Sequence, residues 1–283
     1  MSRTVYVNGD FLPEEDAKIS IFDRGFVFAD GVYEVSSVLE GKLVDNTAHL
    51  LRLERSLNEL KMEAPASGAE ITAIMQKLIA LNGLQEGLVY LQVTRGAADR
   101  DFGFPKDVNP SLVMFTQAKS LLNSPAAEKG IKVIFVDDIR WGRRDIKTIQ
   151  LLAPVLAKQA ASEAEKDDAW LVMDGLVTEG SSNNAYIVKD DQIITRKLSN
   201  DILHGITRKA VLSLAEEVGL KVIERSFTPQ EAQEADEAFI TSASTFVFPV
   251  VEIEHTSIGK GSPGPISKRL REIYIKQALE TLE

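Results

Sequence analysis

Cysteine is absent from this 283-residue chain, and histidine occurs only three times. Without cysteine the protein has no disulfide, thiolate nucleophile or zinc–thiolate site, and it fits a reducing compartment. His49, His204 and His255 are too far apart along the sequence to supply the clustered nitrogen ligands of a transition-metal site. We therefore expect no bound metal.

Long apolar runs and positive charge are also scarce. No run approaches the roughly 20 residues of a membrane span, and the start MSRTVYVNGDF turns polar too early for a signal peptide. The net charge of −10 repels a phosphate backbone. Neither of the glycine-rich nucleotide-binding motifs occurs. These absences predict a cytoplasmic protein with no membrane partner and no nucleic-acid partner.

The length and composition are those of a globular protein large enough for two domains. Hydrophobic residues make up 44% of the chain and charged residues 26%, close to the average for soluble proteins. The run SLLNSPAAEKG interrupts every periodic pattern near the middle of the sequence. We expect a smaller N-terminal α/β domain over residues 1–119, a linker over 120–130 and a larger C-terminal domain over 131–283.

Strand-like and helical patterns occur in both halves, which predicts a mixed α/β (α+β) fold. In the first half, short strands precede helices over 47–60 and 69–82. Asn46 or Thr47 can cap the first of these helices. The second half is expected to contain a strand at IKVIFV, a helix near 150–166, several further strands, a helix from 206 and a last helix from Pro265.

The segment DIRWGRRDIKTIQLL, residues 138–152, concentrates positive charge in an otherwise acidic chain. It lies between a predicted strand and a predicted helix, and it places three arginines and Lys147 around Trp141 and Asp145. A solvated surface turn is the simpler explanation of this composition. The residues alone do not distinguish Lys147 from the other lysines of the chain.

Two later segments contain groups that suit a polar or anionic ligand. In LVTEGSSNNAYIV, residues 176–188, small and amide residues follow the carboxylate of Glu179, although a β-turn has the same composition. In ILHGITRKAV, Gly205 precedes a helix start whose free N–H groups favour an anion, although an ordinary capped helix is the alternative. A lysine loop, an acid and a helix N-terminus are together the parts that a pyridoxal 5′-phosphate (PLP) enzyme requires.

The order and spacing of these segments resemble the fold-type IV PLP enzymes, which include D-amino-acid aminotransferase, branched-chain aminotransferase and aminodeoxychorismate lyase. The resemblance spans nearly the whole chain, and it implies two domains with the cofactor site in the cleft between them, and a homodimer. The long signature of that family is matched by Glu179, Ser181, Asn184, Ala185, Tyr186, Ile193, Thr195, Leu203, Gly205, Ile206 and Arg208.

The resemblance also implies residue roles. Lys147 corresponds to the catalytic lysine that holds PLP as a Schiff base and then moves a proton at the substrate Cα. Glu179 corresponds to the acid that keeps the pyridine nitrogen protonated, so that the ring accepts electrons. Arg52 corresponds to the phosphate-binding arginine. The implied cofactor-binding positions are Arg52, Glu179, Ser182, Asn183, Asn184, Leu203, Gly205, Ile206, Thr207, Ser242 and Ala243.

Within the group, segments such as RGFVFADGVYEV and YLQVTRG are most similar to D-amino-acid aminotransferases. This implies ping-pong transfer of an amino group from a D-amino acid, such as D-alanine, to a 2-oxo acid, such as 2-oxoglutarate. Those relatives often bind the α-carboxylate with an arginine and a histidine two residues later, whereas this chain has Arg100 and Phe102. The implied substrate-contact positions are Tyr33, Val35, Arg100 and Phe102.

Other functions stay open at this point. The same fold includes (R)-amine and branched-chain L-amino-acid aminotransferases, and the apolar residues Phe102 and Phe104 suit an amine that lacks a carboxylate. Aminodeoxychorismate lyase would change the reaction to pyruvate release. A binding module for a phosphate ligand, with a mere surface turn at Lys147, would have no catalytic activity.

Overall fold

A computed structural model of the protein describes residues 2–283 and divides them into two compact units. The first unit contains residues 2–120, Ile146–Gln150 and Leu279–Glu283. The second contains Leu121–Asp145 and Leu151–Ala278. Among the described residues, no helix combines the length and apolarity needed to cross a membrane.

The first unit is built on a six-stranded sheet in the order β2-β1-β6-β5-β3-β4. β3 pairs antiparallel with β5, and β5 pairs antiparallel with β6, over eight residues each. The strands are β1 (Thr4–Val7), β2 (Asp10–Pro13), β3 (Gly31–Leu39), β4 (Lys42–Leu43), β5 (Gly87–Thr94) and β6 (Ser111–Ala118), and the helices are α1 (Arg24–Phe28), α2 (Asn46–Glu59) and α3 (Gly68–Leu81).

Helices α2 and α3 contribute apolar residues at helical spacing to the core of this unit. Leu53 and Leu57 of α2 and Met75 and Leu78 of α3 are almost fully buried in one cluster with strand residues such as Leu91. At about 25 cal/mol per Å² of buried apolar surface, such side chains stabilise the unit by about 1.5–3 kcal/mol each. The predicted helices over 47–60 and 69–82 are therefore present, with slightly different ends.

The predicted cap of α2 is wrong. Its N-cap residue is Asp45, in the left-handed conformation and without a side-chain capping bond. The N–H and hydroxyl of Thr47 instead donate to the side-chain carboxylate of Glu283. A carboxylate at a helix N-terminus also compensates the helix dipole, so the C-terminal residue takes over the function of a local cap.

The second unit is built on a nine-stranded sheet, in the order β12-β11-β10-β13-β14-β7-β8-β9, with β15 paired to β14. Its core includes Trp170, Ile187 and Phe227. The strands are β7 (Ile131–Asp137), β8 (Asp168–Met173), β9 (Leu176–Gly180), β10 (Asn184–Lys189), β11 (Gln192–Thr195), β12 (Lys221–Glu224), β13 (Glu237–Ser242), β14 (Phe246–Ile253) and β15 (Thr256–Ser257). The helices are α4 (Pro125–Lys129), α5 (Leu152–Glu163), α6 (Ile206–Glu217), α7 (Pro229–Gln233) and α8 (Pro265–Glu280).

Strands β7 and β8 are parallel, so the chain between them must cross over, and this crossover includes the basic segment and α5. Five residues of the crossover, Ile146–Gln150, belong to the first unit rather than to the C-terminal domain expected from the sequence. The reason is local pairing, since Thr148 forms a bridge with Val32 of β3. The expected linker 120–130 also contains a short helix, α4.

Candidate active site

Lys147 is held by backbone pairing to β3 in the first unit. The N–H of Tyr33 donates to the carbonyl oxygen of Lys147 at 3.0 Å. The Lys147 Nζ lies 4.1 Å from the centroid of the Tyr33 ring, where the ring face attracts a cation. Tyr33 in turn stacks on Tyr90 of β5 at a centroid distance of 5.7 Å. The predicted catalytic lysine therefore has its amine placed against an aromatic face and a backbone fixed by a strand.

Successive residues of β3 lie on opposite faces of the sheet, and the two faces differ in their exposure. Tyr33 and Val35 are partly exposed on one face, whereas Glu34 is buried on the other. Glu34 accepts from Arg52 Nε and Nη2 at 2.8 Å each and contacts His49 Nδ1 at 2.8 Å. His49 and Arg52 are three residues apart on α2, so both side chains reach the same carboxylate.

The positive charge of Arg52 balances the negative charge of Glu34 in this cluster. Burial disfavours the ionised form of Glu34, but Arg52 and His49 outweigh it and hold the pKa of the Glu34 carboxyl well below its usual range. The bidentate pair fixes one edge of the Arg52 guanidinium. Arg52 is thus a rigid, buried cation of the first unit, as a phosphate-binding arginine should be. Glu34 and His49 were not predicted as site residues from the sequence, although strand alternation and the helical spacing could have indicated both.

Arg100 lies among aromatic rings, and no described carboxylate forms an ion pair with it. Its guanidinium carbon is 5.3 Å from the ring centroid of Phe28 and 5.5 Å from that of Phe102, and the two rings are 5.4 Å apart. Phe102 is 78% exposed. The two predicted substrate residues of this loop are therefore neighbours, with the Phe102 ring beside the Arg100 guanidinium.

A partly buried acid, Asp30, anchors the loop that carries Arg100. Asp30 pairs with Arg24 Nε at 2.8 Å and with Arg95 Nε at 2.7 Å. Arg24 Nη1 donates to the carbonyl oxygen of Asp101 at 2.7 Å, which ties the loop to this ion pair. Burial opposes ionisation of Asp30, yet the two arginines keep the pKa of its carboxyl below the usual value. No motif in the linear sequence indicated this cluster.

Glu179 lies on strand β9 of the second unit and not in the turn that its neighbours suggested; the turn follows it, at 181–183. Its carboxylate is buried and accepts from Arg140 Nη1 at 2.5 Å and from Asn184 Nδ2 at 2.8 Å. The N–H of Leu203 donates to both oxygens, at 3.0 and 3.2 Å. Burial raises the pKa of Glu179, and Arg140 and the Leu203 N–H act against that rise.

Helix α6 begins next to this carboxylate cluster within the same unit. Its N-cap is Gly205, which provides no side-chain capping bond, and Thr207 in the first turn is buried. The amide of Asn184 links the two features, because Asn184 Nδ2 also donates to the carbonyl oxygen of Leu203 at 3.0 Å. The second unit therefore brings Glu179, Asn184, Leu203 and Gly205 close together.

Gly205 has no room for a side chain. A Cβ at this position would lie 2.1 Å from Asn184 Oδ1. Gly205→Ala should therefore displace the Asn184 amide, lower the free energy of unfolding by about 1–3 kcal/mol and weaken cofactor binding. Urea denaturation and a PLP titration measure the two effects. Gly142→Ala, where a Cβ meets nothing within 4 Å, is the matched control and should change stability little; equal effects of both substitutions would contradict the steric argument.

The remaining predicted cofactor positions differ in their chemistry and in their surroundings. Ser182 is exposed, whereas the Asn183 amide is buried and donates to Asp168 Oδ2 at 2.6 Å. Ser242 Oγ lies 2.8 Å from Thr245 Oγ1 and 3.3 Å from Ser244 Oγ, so hydroxyl groups surround Ala243. Ile206 is half-buried at the first position of α6. Among the described residues, no group of three or more His, Cys, Asp or Glu is arranged to hold a metal ion.

The fold is that of the branched-chain amino acid aminotransferases of known structure. The Escherichia coli enzyme aligns with a TM-score of 0.91 at 21% identity, over 98% of this chain and 95% of that one, which shows the fold alone. A T.th. enzyme with pyridoxamine 5′-phosphate aligns with a TM-score of 0.90 at 27% identity, over 98% and 94%.

The sequence profile of the aminotransferases of class IV matches residues 31–253, and the chain belongs to this family. The D-alanine aminotransferase of Bacillus licheniformis is 40% identical over 269 residues, 94% of each chain. That of Staphylococcus aureus (strain MSSA476) is 38% identical over 273 residues, 96% of each chain. The predicted family and mixed α/β fold are confirmed, and the protein is a transaminase that uses PLP.

Proposed function

We propose that the protein transfers the amino group of a D-amino acid, such as D-alanine, to a 2-oxo acid, such as 2-oxoglutarate, in a ping-pong cycle. The observation that carries this proposal is the likeness to D-alanine aminotransferases, which extends over 94–96% of both chains at 38–40% identity. The branched-chain enzymes of known structure resemble the protein at 20–28% identity, which supports that alternative less well. A cytoplasmic location stays a prediction from the sequence.

The groups described above fit PLP chemically. Lys147 provides an amine for the aldehyde, Glu179 a buried carboxylate for the ring nitrogen, and Arg52 a rigid cation for the phosphate. We assign the N–H groups at the start of α6, together with Thr207, to the phosphate as well. When bound, the cofactor withdraws electrons from the substrate and so acidifies its Cα–H bond.

Lys147 has two functions in this proposal. Its Nζ would hold the cofactor covalently, and as a free amine it would accept the proton from the substrate Cα. The Tyr33 ring restricts the position of Nζ, and the strand pairing of Lys147 restricts its backbone, so the amine is oriented before the proton moves. Glu179 retains a negative charge opposite the ring nitrogen and thereby keeps a proton on that nitrogen.

A substrate panel tests the proposed specificity. D-alanine, L-leucine and (R)-1-phenylethylamine are offered separately to the PLP-bound enzyme with 2-oxoglutarate as acceptor, and kcat/KM is compared. We expect D-alanine to be the best donor. Higher kcat/KM for L-leucine would refute the D specificity, and release of pyruvate from aminodeoxychorismate without an acceptor would indicate a lyase.

An (R)-amine aminotransferase is the second candidate, and one observation favours it. The rings of Phe28 and Phe102 flank the guanidinium of Arg100. The ring centroid of Phe104 lies 3.7 Å from the guanidinium carbon of Arg95. An aromatic amine can pack on such rings without any carboxylate contact. The value of kcat/KM for (R)-1-phenylethylamine relative to D-alanine decides between the two candidates.

The substitution Arg100→Ala should distinguish amino donors that have an α-carboxylate from donors that lack one. Under our proposal Arg100 forms a charge-assisted pair with the substrate α-carboxylate, so its loss should raise KM for D-alanine by about 10-fold or more. KM for (R)-1-phenylethylamine, which has no carboxylate, should change much less. Steady-state kinetics with both donors provide the measurement, and equal increases would show that the carboxylate binds elsewhere. Arg3→Ala, at an exposed ion pair with Glu14, is the matched control.

We also propose a homodimer. Large apolar side chains of the first unit are exposed in two short segments, at Ile21 (71%), Phe22 (50%) and Phe26 (78%), and again at Phe102 and Phe104. Clusters of exposed aromatic residues are typical of protein interfaces. Light scattering after size-exclusion chromatography should give twice the chain mass, and Phe26→Glu should reduce it; a monomeric wild type would refute this part.

A further inference from the structure

Arg140 lies between two buried carboxylates of the second unit. It donates through Nη1 to Glu179 Oε1 at 2.5 Å, and through Nε and Nη2 to the two oxygens of Asp138, at 2.9 and 2.7 Å. The side chains of Asp138, Glu179 and Arg140 are only 0%, 4% and 13% exposed. Such a guanidinium has little freedom to turn away from either acid.

Asp138 fixes Arg140 toward Glu179. The Thr178 hydroxyl donates to Asp138 Oδ2 at 2.8 Å, and Arg144 Nε lies 3.4 Å from the same oxygen. Burial opposes ionisation of Asp138, but the bonds from Arg140 dominate and keep the pKa of its carboxyl below the usual value. Asp138 therefore stays ionised and holds the Arg140 fork in a bidentate pair, with Nη1 directed at Glu179.

The other donors to Glu179 are neutral. They are the Asn184 amide and the Leu203 N–H, and they do not balance a charge. Asp138 repels the ionised form of Glu179, and the buried Tyr186 of β10 also interacts with this carboxylate. Among the described residues, Arg140 is the cation in contact with this carboxylate. An unpaired buried carboxylate takes up a proton rather than remain charged.

We propose that Arg140 is a positioning residue for the transamination reaction, which keeps Glu179 ionised and directed so that it can hold the proton on the cofactor ring nitrogen. The inference rests on the proposed role of Glu179. Three residues then act together. Asp138 orients Arg140, and Arg140 supplies the positive charge that keeps Glu179 ionised. A neutral Glu179 would have no charge to stabilise a protonated ring.

The test uses the PLP-bound enzyme and compares Arg140→Gln and Arg140→Lys with wild type. Loss of the cation raises the pKa of Glu179, so its ionised form appears only at higher pH. For Arg140→Gln we expect kcat at pH 7 to fall by about 10- to 100-fold. The acid limb of the kcat–pH profile and the pH dependence of the cofactor's visible absorption should both move to higher pH. Arg140→Lys should recover most of each change, since it restores the charge without the fork.

Arg225→Gln is the matched control, because Arg225 forms an exposed ion pair with Glu231 at 2.8 Å elsewhere in the same unit, and it should leave kcat and the profile unchanged. A profile and spectrum of Arg140→Gln identical to wild type would overturn the inference. If wild type neither binds PLP nor transaminates, the proposed function itself fails, which is a distinguishable result.

A second measurement does not depend on the folding of an Arg140 variant. The infrared carbonyl stretch of a protonated carboxyl is recorded for PLP-bound wild type and for Glu179→Gln, and the difference reports the protonation of Glu179. We expect no such band from Glu179 in wild type at pH 7. A clear band would mean that Glu179 is neutral despite Arg140, and the inference would be wrong.

Discussion

Replacing Lys147 by alanine should abolish most activity while leaving the fold intact. The loss of a positioned acid–base group lowers rates by about 10²–10⁴-fold, and here the covalent attachment of the cofactor is lost as well. Stability should change little. The backbone contacts remain, since the carbonyl oxygen accepts from Tyr33 and the neighbouring Thr148 pairs with Val32. The lost contact of Nζ with the Tyr33 ring is worth only about 0.5–2 kcal/mol. Single-turnover transamination with D-alanine and thermal unfolding measure the two effects.

A separate experiment tests whether Lys147 is the lysine that binds the cofactor covalently. Borohydride reduction of the PLP-bound enzyme, followed by peptide mass spectrometry, should place the label on Lys147 in wild type and on no lysine in Lys147→Ala. Lys189→Ala provides the matched variant, since Lys189 is half-exposed in a surface pair with Asp236 and should retain full activity. A label on any other lysine, or near-wild-type turnover of Lys147→Ala, would refute the assignment.

Glu34→Gln should cause the largest loss of stability among the substitutions considered. It removes the negative charge from the buried bidentate pair with Arg52, and breaking a buried pair in this way costs about 3–5 kcal/mol. The guanidinium of Arg52 would also lose its bidentate orientation, so PLP affinity should fall as well. Urea denaturation and cofactor titration are the measurements. Glu14→Gln, in an exposed pair with Arg3, should cost no more than about 1 kcal/mol.

The pH dependence of the same substitution provides an independent check. Burial raises the pKa of Glu34, but Arg52 and His49 dominate and depress it below its usual value near 4.3. The ionised carboxylate therefore stabilises the folded state above about pH 4.3, and this stabilisation is lost as the pH falls further. Wild type should lose more stability than Glu34→Gln between about pH 5 and pH 3. Parallel pH profiles would contradict the role of Glu34.

Local sequence patterns determined the elements of the fold. The apolar spacing of residues 47–60 and 69–82 predicted α2 and α3, because a helix repeats every 3.6 residues whatever its neighbours are. The family motif added the chemistry, since Lys147 and Glu179 were assigned from the resemblance before any distance was known. Composition alone could not have done so, because one lysine in a basic turn looks like any other.

Tertiary structure decided which groups hold these residues in place. Glu283 accepts a hydrogen bond from Thr47 at the start of α2, although the two residues are far apart in the sequence. Glu34 of β3 pairs with Arg52 of α2 because strand alternation and helix packing place both side chains at the same point. In the sequence Arg140 is one residue of a basic segment. Only the folded second unit, in which Glu179 lies on β9, shows that the two residues form an ion pair. Charge pairing depends on distances of about 3–4 Å and on burial, and neither is recorded in the linear order of residues.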